Sequence, residues 1–274
     1  GTYSHGVFTG HATHDLTIKG NRAKPILPDG KTWRFLVLTH RGVNTLIEEN
    51  TIEGLGFLDD DTIPDSNEPE IILTEAYHVR YEGRVAGLSP DGRVLRIAPP
   101  QGETPIPGDA VSLLTGASAG QYRRIDQVID KETFLVDPPI PQGTEVVSIS
   151  QGFIHTEILK NRIDIRGGKT SGCLILPGNN FGTRVIGNHF LGGSHAMRFA
   201  AYPSETPRIW GWTHAPFLQG EIEGNRVEDC SAGVLLSVEH SPRYIKTAKG
   251  RTYMTITLKD NHLVWTEPFL RKFQ

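Results

Sequence analysis

The heptapeptide "EILKNRI" (Glu157–Ile163) recurs 27 residues later as "RVIGNHF" (Arg184–Phe190) and again 37 residues on as "EIEGNRV" (Glu221–Val227). The same pattern is found in "LTIKGNRA" around Asn21, "TLIEENTI" around Asn50 and "ITLKDNHL" around Asn261. Three positions before each Asn stands an apolar residue: Ile18, Ile47, Ile158, Val185, Ile222 or Leu258. Two positions after it stands an apolar or small one: Ala23, Ile52, Ile163, Phe190, Val227 or Leu263. Alternation on both sides of a polar corner reads as two short strands, because side chains of a strand change face at every residue. Asn suits the corner, since it tolerates left-handed backbone and its amide bonds local backbone groups. All six residues before the Asn are expected in one continuous core, and the corner amides are expected to stack.

A third strand precedes each pair, in "GVFTGH", "FLVLTH", "EIILTE", "VVSISQ", "CLILPG", "MRFAAY" and "VLLSVE". Three strands per repeat, with loops of varying length, predict an all-β chain: a right-handed parallel β-helix, a three-sheet β-solenoid around an apolar interior. The interval from Asn50 to Asn161 is too long for one repeat. One further repeat is read at "EIILTEAYHVRYEGRV", with Arg84 in place of the corner Asn. Alternating runs such as "GRVLRIA", "QYRRIDQVI" and "TFLVD", punctuated by "PDG", "PGD" and "SAGQ", then predict an inserted small antiparallel β module, barrel-like or sandwich-like. The expected organisation is helical repeats over residues 1–85, the insertion over 86–146, and repeats again over 147–274. The first strand begins almost at once, so further repeats N-terminal to this chain are expected.

Composition narrows the partners. Lys and Arg number 28 against 31 Asp and Glu, for a net charge of −3, which argues against a nucleic-acid partner. No apolar run reaches the roughly 18 residues that a membrane helix needs, so no membrane partner is expected. Two cysteines, Cys173 and Cys230, are read as buried free thiols rather than a disulfide framework.

Ten residues before the corner Asn, where the first strand turns toward the second, stand His11, His40, Gln151 and Gly178, and strand alignment adds Glu75, Tyr202 and Glu239. Strands stacked about 4.8 Å apart would make His11, His40 and Glu75 a contiguous polar column. Three chemistries fit it: polar turn residues bonded to backbone and water, a catalytic set, or a metal site of two His and one Glu. As a catalytic set, His40 and His11 supply a base near neutral pH and Glu75 orients it. Arg41 and Arg80 would hold an anionic substrate. Trp210 and Trp212 offer faces for sugar stacking, and Glu239, His240, Arg243 and Lys246 form a charged loop able to meet a uronate. Tyr202 lies at the same level.

The Asn-cornered repeats resemble the right-handed parallel β-helix of the pectate-lyase-like superfamily over residues 4–86 and 146–266. The resemblance implies a carbohydrate-active protein, secreted or periplasmic, whose partner is a polysaccharide or oligosaccharide. Glu75 and Glu239, four repeats apart, lie on the order of 19 Å from each other by sheet spacing, too far for a glycosidase pair. Hydrolysis would need Glu75 with another acid such as Glu48, Glu53 or Asp164. Histidine and arginine instead fit lyase-type β-elimination on an acidic polysaccharide. No cofactor is required by this reading; a divalent metal is the alternative. A glycoside hydrolase, or a non-catalytic glycan-binding or structural β-helix of the tailspike or adhesin kind, is the competing class.

Overall fold

The computed structural model describes residues 6–24, 34–54, 70–76, 78–100, 103–166, 172–201, 216–238 and 254–270. The chain is nearly all β, with two parallel sheets and a small closed antiparallel barrel. One parallel sheet pairs Gly6–Lys19, Arg34–Glu48, Phe153–Leu159, Arg184–Ile186, Phe217–Glu223 and Met254–Lys259 in that order. Along the first half of Arg34–Glu48, on the same edge that Phe153–Leu159 takes further along, it continues through Glu70–Glu75, Gly172–Pro177, His195–Ala201 and Ala232–Val238. The second parallel sheet pairs six short strands, each of which follows a corner Asn: Arg22–Ala23, Thr51–Glu53, Arg162–Asp164, His189–Leu191, Arg226–Glu228 and His262–Val264.

The corners explain this order. At each one the residue before the Asn is left-handed: Gly20, Glu49, Lys160, Gly187, Gly224 and Asp260 have φ of 68°, 55°, 52°, 65°, 62° and 51°. Glu, Lys and Asp pay on the order of 1–2 kcal/mol for that backbone, so something must hold them there. The Asn side chains do so. Asn50 Oδ1 accepts from Asn21 Nδ2 (2.9 Å) and from the Asn21 backbone N–H (3.0 Å). The Asn50 amide in turn donates to Asn161 Oδ1 and to the Ile18 carbonyl, both at 2.9 Å. Asn161, Asn188 and Asn225 repeat the scheme, each bonding the next and reaching back to a strand carbonyl, and Asn261 at the end reaches the Ile222 carbonyl. The register follows: Ile18, Ile47, Ile158, Val185 and Ile222 lie opposite one another and are buried in one core cluster.

Three expectations need correction. Leu258, expected in the core, is 49% exposed, because its strand pairs on one side only among the described residues. Arg84 does not stand at a corner. It lies within strand Val79–Leu88, opposite Val146 in the barrel. The parallel strand Glu70–Glu75 ends at a bridge between Ala76 and Gly178, and the chain resumes parallel pairing at Phe153. The interval from Asn50 to Asn161 thus holds a single repeat interrupted by the barrel. The barrel strands run from Val79 to Ser150, wider than the 86–146 read from turn signals; "HVRYEGRV" alternates equally well for either sheet. Both cysteines are buried and free.

The barrel closes in the order Thr133–Asp137, Val94–Ile97, Val79–Leu88, Val146–Ser150, Ala110–Leu113 and Tyr122–Asp130 around its own core, including Leu95, Val111, Phe134, Val147 and Ile149. It rests on the outer face of the first parallel sheet: Ala110 and Tyr122 pack with Ile154, Phe181 and Leu218. Gly182, left-handed at φ 65°, leaves room for the Tyr122 hydroxyl, which an added Cβ would meet at 2.6 Å.

Replacing Asn161 with Ala strands the Asn50 amide and the Ile47 carbonyl in a buried site. At about 1–3 kcal/mol for each unsatisfied group, we expect a loss of roughly 3 kcal/mol or more in urea unfolding. Asn21→Ala, at the half-exposed end, should cost under about 1 kcal/mol. Equal losses at the two positions would contradict the ladder.

Candidate functional site

The expected column of His11, His40 and Glu75 is not a single strand-to-strand row. His11 pairs with Thr39, and Thr39 with Glu75, so the strand-to-strand row is His11–Thr39–Glu75. His40 follows Thr39 by one residue. The physical reason is an irregularity after His11: one residue, Ala12, separates His11 from Thr13, whereas His40 and Arg41 separate their partners Thr39 and Gly42. A constant ten-residue offset from the corner misses this extra residue. Ala12 and His40 take up the bend with left-handed φ of 53° and 73°.

Thr39 binds both imidazoles. Its hydroxyl bonds His11 Nδ1 in a short contact and His40 Nδ1 at 2.9 Å, and the two rings meet edge to face at 5.3 Å between centroids. A hydroxyl has one proton to donate. When both rings are neutral, Thr39 donates to one Nδ1 and accepts from the other, so the rings hold opposite tautomers. The ring that donates from Nδ1 then has a bare Nε2 lone pair. His11 and His40 are exposed and Glu75 is half-buried.

Behind this shelf lies a charged cluster contributed by the barrel, which residue patterns did not reveal because its members are distant in sequence. Arg80 Nε lies 2.8 Å from Asp109 Oδ2, and its Nη1 contacts Glu103 closely. His78 Nε2 lies 3.2 Å from Glu103. Burial pushes the Asp109 carboxyl up to about 6, against the pull of Arg80 and Arg41. Burial, helped by Arg80 and by His40, lowers the His78 imidazole. Arg41 therefore lies within electrostatic reach of Asp109. Arg80, with a nearly buried side chain, is committed to two carboxylates and does not reach out to a substrate as the sequence suggested.

The alternative acids are also committed. Glu48 pairs with Lys19 at 2.7 Å, Glu53 with Arg22 at 3.5 Å, and Asp164 with Arg162 and Arg166 at 3.1 and 2.6 Å. Glu48 and Asp164 are held below the usual carboxylate range, Glu48 chiefly by the Lys19 hydrogen bond and Asp164 by Arg166 in spite of burial. Such groups are poor proton donors. Tyr202, Trp210, Trp212, Glu239, His240, Arg243 and Lys246 lie outside the described residues. Among the described residues no group of three His, Cys, Asp or Glu is arranged to hold a metal ion.

On the other flank of the barrel's footprint a second opening lies over the same sheet. It is a groove of about 470 Å³ lined by Asp15, Asn44, His155, Glu157 and Arg184 among others. Its residues carry no shared motif; only the strand register brings them together.

Asp109 titrates near 3.8 when unfolded and near about 6 when folded. Folding then takes up a proton between those values, so the group's contribution favours the native state below pH 4 and is lost as pH rises through 6, by on the order of 3 kcal/mol. Asp109→Asn should remove this fall. Unfolding free energies measured at pH 4 and pH 7 should shift in favour of the variant at the higher pH; parallel profiles would overturn the assignment.

No protein-family model and no curated protein sequence matches the chain.

Proposed function

We propose that the chain is a right-handed parallel β-helix of the pectate-lyase-like kind, and that it cleaves an acidic polysaccharide by β-elimination on the His11–Thr39–His40 shelf. The parallel pairing of successive repeats and the unbroken Asn ladder support the helix. The observation that carries the chemistry is the Thr39 hydroxyl shared by two imidazoles. It prepares one neutral ring with an outward lone pair, which is what a general base near neutral pH requires.

In this reading His40 takes the proton from the carbon beside a uronate carboxylate. The electron pair left on that carbon spreads into the carboxylate as an enolate, and Arg41, the next residue, neutralises the developing charge. Collapse of the enolate forms a carbon–carbon double bond and breaks the adjacent glycosidic C–O bond. The leaving oxygen takes a proton from solvent or from the imidazolium. Glu75, across the strand from Thr39, favours the imidazolium that forms in the first step. Asp109 and Glu103 hold Arg80 in place behind the shelf. No metal has a step in this sequence. A polysaccharide substrate agrees with a secreted or periplasmic location.

Hydrolysis fits less well, because Glu48, Glu53 and Asp164 are bound by cations. A glycan-binding or structural β-helix without turnover is the remaining outcome of the same assay. The protein should be incubated with polygalacturonate, alginate and glycosaminoglycans while the ultraviolet absorbance of unsaturated uronate is followed. Absorbance growing with time on one of them is the expected result. New reducing ends without absorbance would indicate hydrolysis, and no product on any polymer would indicate a binding protein.

His40→Asn keeps a residue that tolerates left-handed backbone and should lower turnover by roughly 100-fold or more while leaving the melting temperature nearly unchanged. Thr39→Val should also slow the reaction, since the two imidazoles would lose the hydroxyl that they share. Full activity in His40→Asn would return the shelf to a polar turn.

A further inference from the structure

The groove on the opposite flank of the barrel is built from two rows that the strand register fixes. The bend row holds Asp15, Asn44 and His155, left-handed at φ 51°, 55° and 56°, each six residues before its corner Asn. That backbone turns the three side chains outward at the same level of successive strands. The strand row holds Thr17, Leu46, Glu157 and Arg184, paired in order. Asn44 Nδ2 donates to Asp15 Oδ1 at 2.8 Å, and Arg184 is shared between Glu157 at 2.6 Å and Glu221 at 2.9 Å. The buried Tyr122 ring stands 6.4 Å from the His155 ring and backs it from the barrel side.

We propose that this groove binds a neutral, hydroxyl-rich saccharide segment, and that it binds without cleaving. Its charge decides against an acidic ligand. Asp15 and Glu157 contribute two carboxylates and Glu221 adds a third beside them; against these, Arg184 is shared between two of the three, Arg124 near His155 is bonded to Asp126, and His14 pairs with Asp15. A uronate would meet net negative charge, and like charges at this range repel. Hydroxyl groups instead find matched partners. The Asp15 carboxylate accepts, the Asn44 amide both donates and accepts, and the Thr17 hydroxyl does either. The rows repeat at the strand spacing of about 4.8 Å, comparable to the length of one pyranose unit, so the three positions of the bend row suit two adjacent sugars. The exposed His155 ring supplies a flat face for a sugar.

The groove also lacks the means to hydrolyse what it binds. A glycosidase needs one carboxylic acid that stays protonated. The Asn44 hydrogen bond holds Asp15 below the usual carboxylate range, and Glu157 is ion-paired. The imidazole of His155 is lowered by burial and by Arg124, which leaves it neutral rather than acidic. The proposal does not depend on the elimination chemistry: it concerns other residues and is read by binding rather than turnover.

The test is calorimetric titration of the intact protein with β-1,4-linked hexasaccharides of glucose, xylose and mannose, and with hexagalacturonate as the acidic probe. At least one neutral hexasaccharide should bind measurably. The double variant Asp15→Gly, Asn44→Gly, which keeps the left-handed bends, should weaken that binding by about 10-fold or more, the effect of losing hydrogen bonds to a charged group. Its circular dichroism and melting temperature establish that it folds. If the double variant is unfolded, Thr17→Ala and Glu157→Gln replace it, with the same expectation for the pair. Failure of all three neutral probes to bind overturns the proposal. So does binding that folded groove variants leave unchanged, or hexagalacturonate binding that those variants abolish.

Discussion

The structure depends on one repeated hydrogen bond, from the amide of a corner asparagine to the side-chain oxygen of the next. A parallel strand pair satisfies its own backbone, but a sharp corner leaves N–H and C=O groups facing the interior, where an unpaired group costs on the order of 1–3 kcal/mol. Each Asn after the first meets that cost three times: its oxygen accepts a backbone N–H and a neighbour's amide, and its own amide reaches a strand carbonyl. The left-handed residue before it is then tolerated even as Glu, Lys or Asp. Because all corners bond in line, every strand inherits the register of its neighbour, and a column of inward isoleucines and a valine follows.

The same register that fills the core also arranges the surface. Bends recur at fixed distances from each corner, and a left-handed bend residue points outward. One row of bends yields Asp15, Asn44 and His155; an irregular row yields Ala12 and His40. The bends carry the side chains left free for other contacts, because the strands between them are used up in packing and pairing. The barrel sits between the two rows and gives each a wall: Arg80, Glu103 and Asp109 behind the histidines, Tyr122 beside the groove. Its joint to the sheet combines apolar contact at Ile154, Phe181 and Leu218 with buried charge at Asp109.

Much of the architecture was legible in the sequence, and for a physical reason. A corner that needs Asn leaves it at the same place in every repeat, and alternation marks the inward residues, so the core column and the amide stack could be read from spacing alone. Legibility failed where spacing failed. Arg84 looked like a substituted corner because an antiparallel barrel strand alternates as a parallel one does. His40 looked like the partner of His11 because the single extra residue before Gly42 is invisible without pairing partners. Arg80 looked like a substrate contact because the acids that hold it, Glu103 and Asp109, come from barrel segments more than twenty residues away. The groove residues were missed for the same reason: contacts across three strands leave no local signature.

The central claim is that the shelf where Thr39 joins His11 and His40 receives a uronate carboxylate next to Arg41. The most direct measurement is a crystal structure of the His40→Asn protein with a uronate oligosaccharide that the slowed variant cannot turn over. The account predicts a sugar lying across the shelf, with its carboxylate on the Arg41 guanidinium and the carbon beside it facing the site of the missing imidazole. An oligosaccharide seated elsewhere on the protein, with Arg41 and Thr39 untouched, would contradict it.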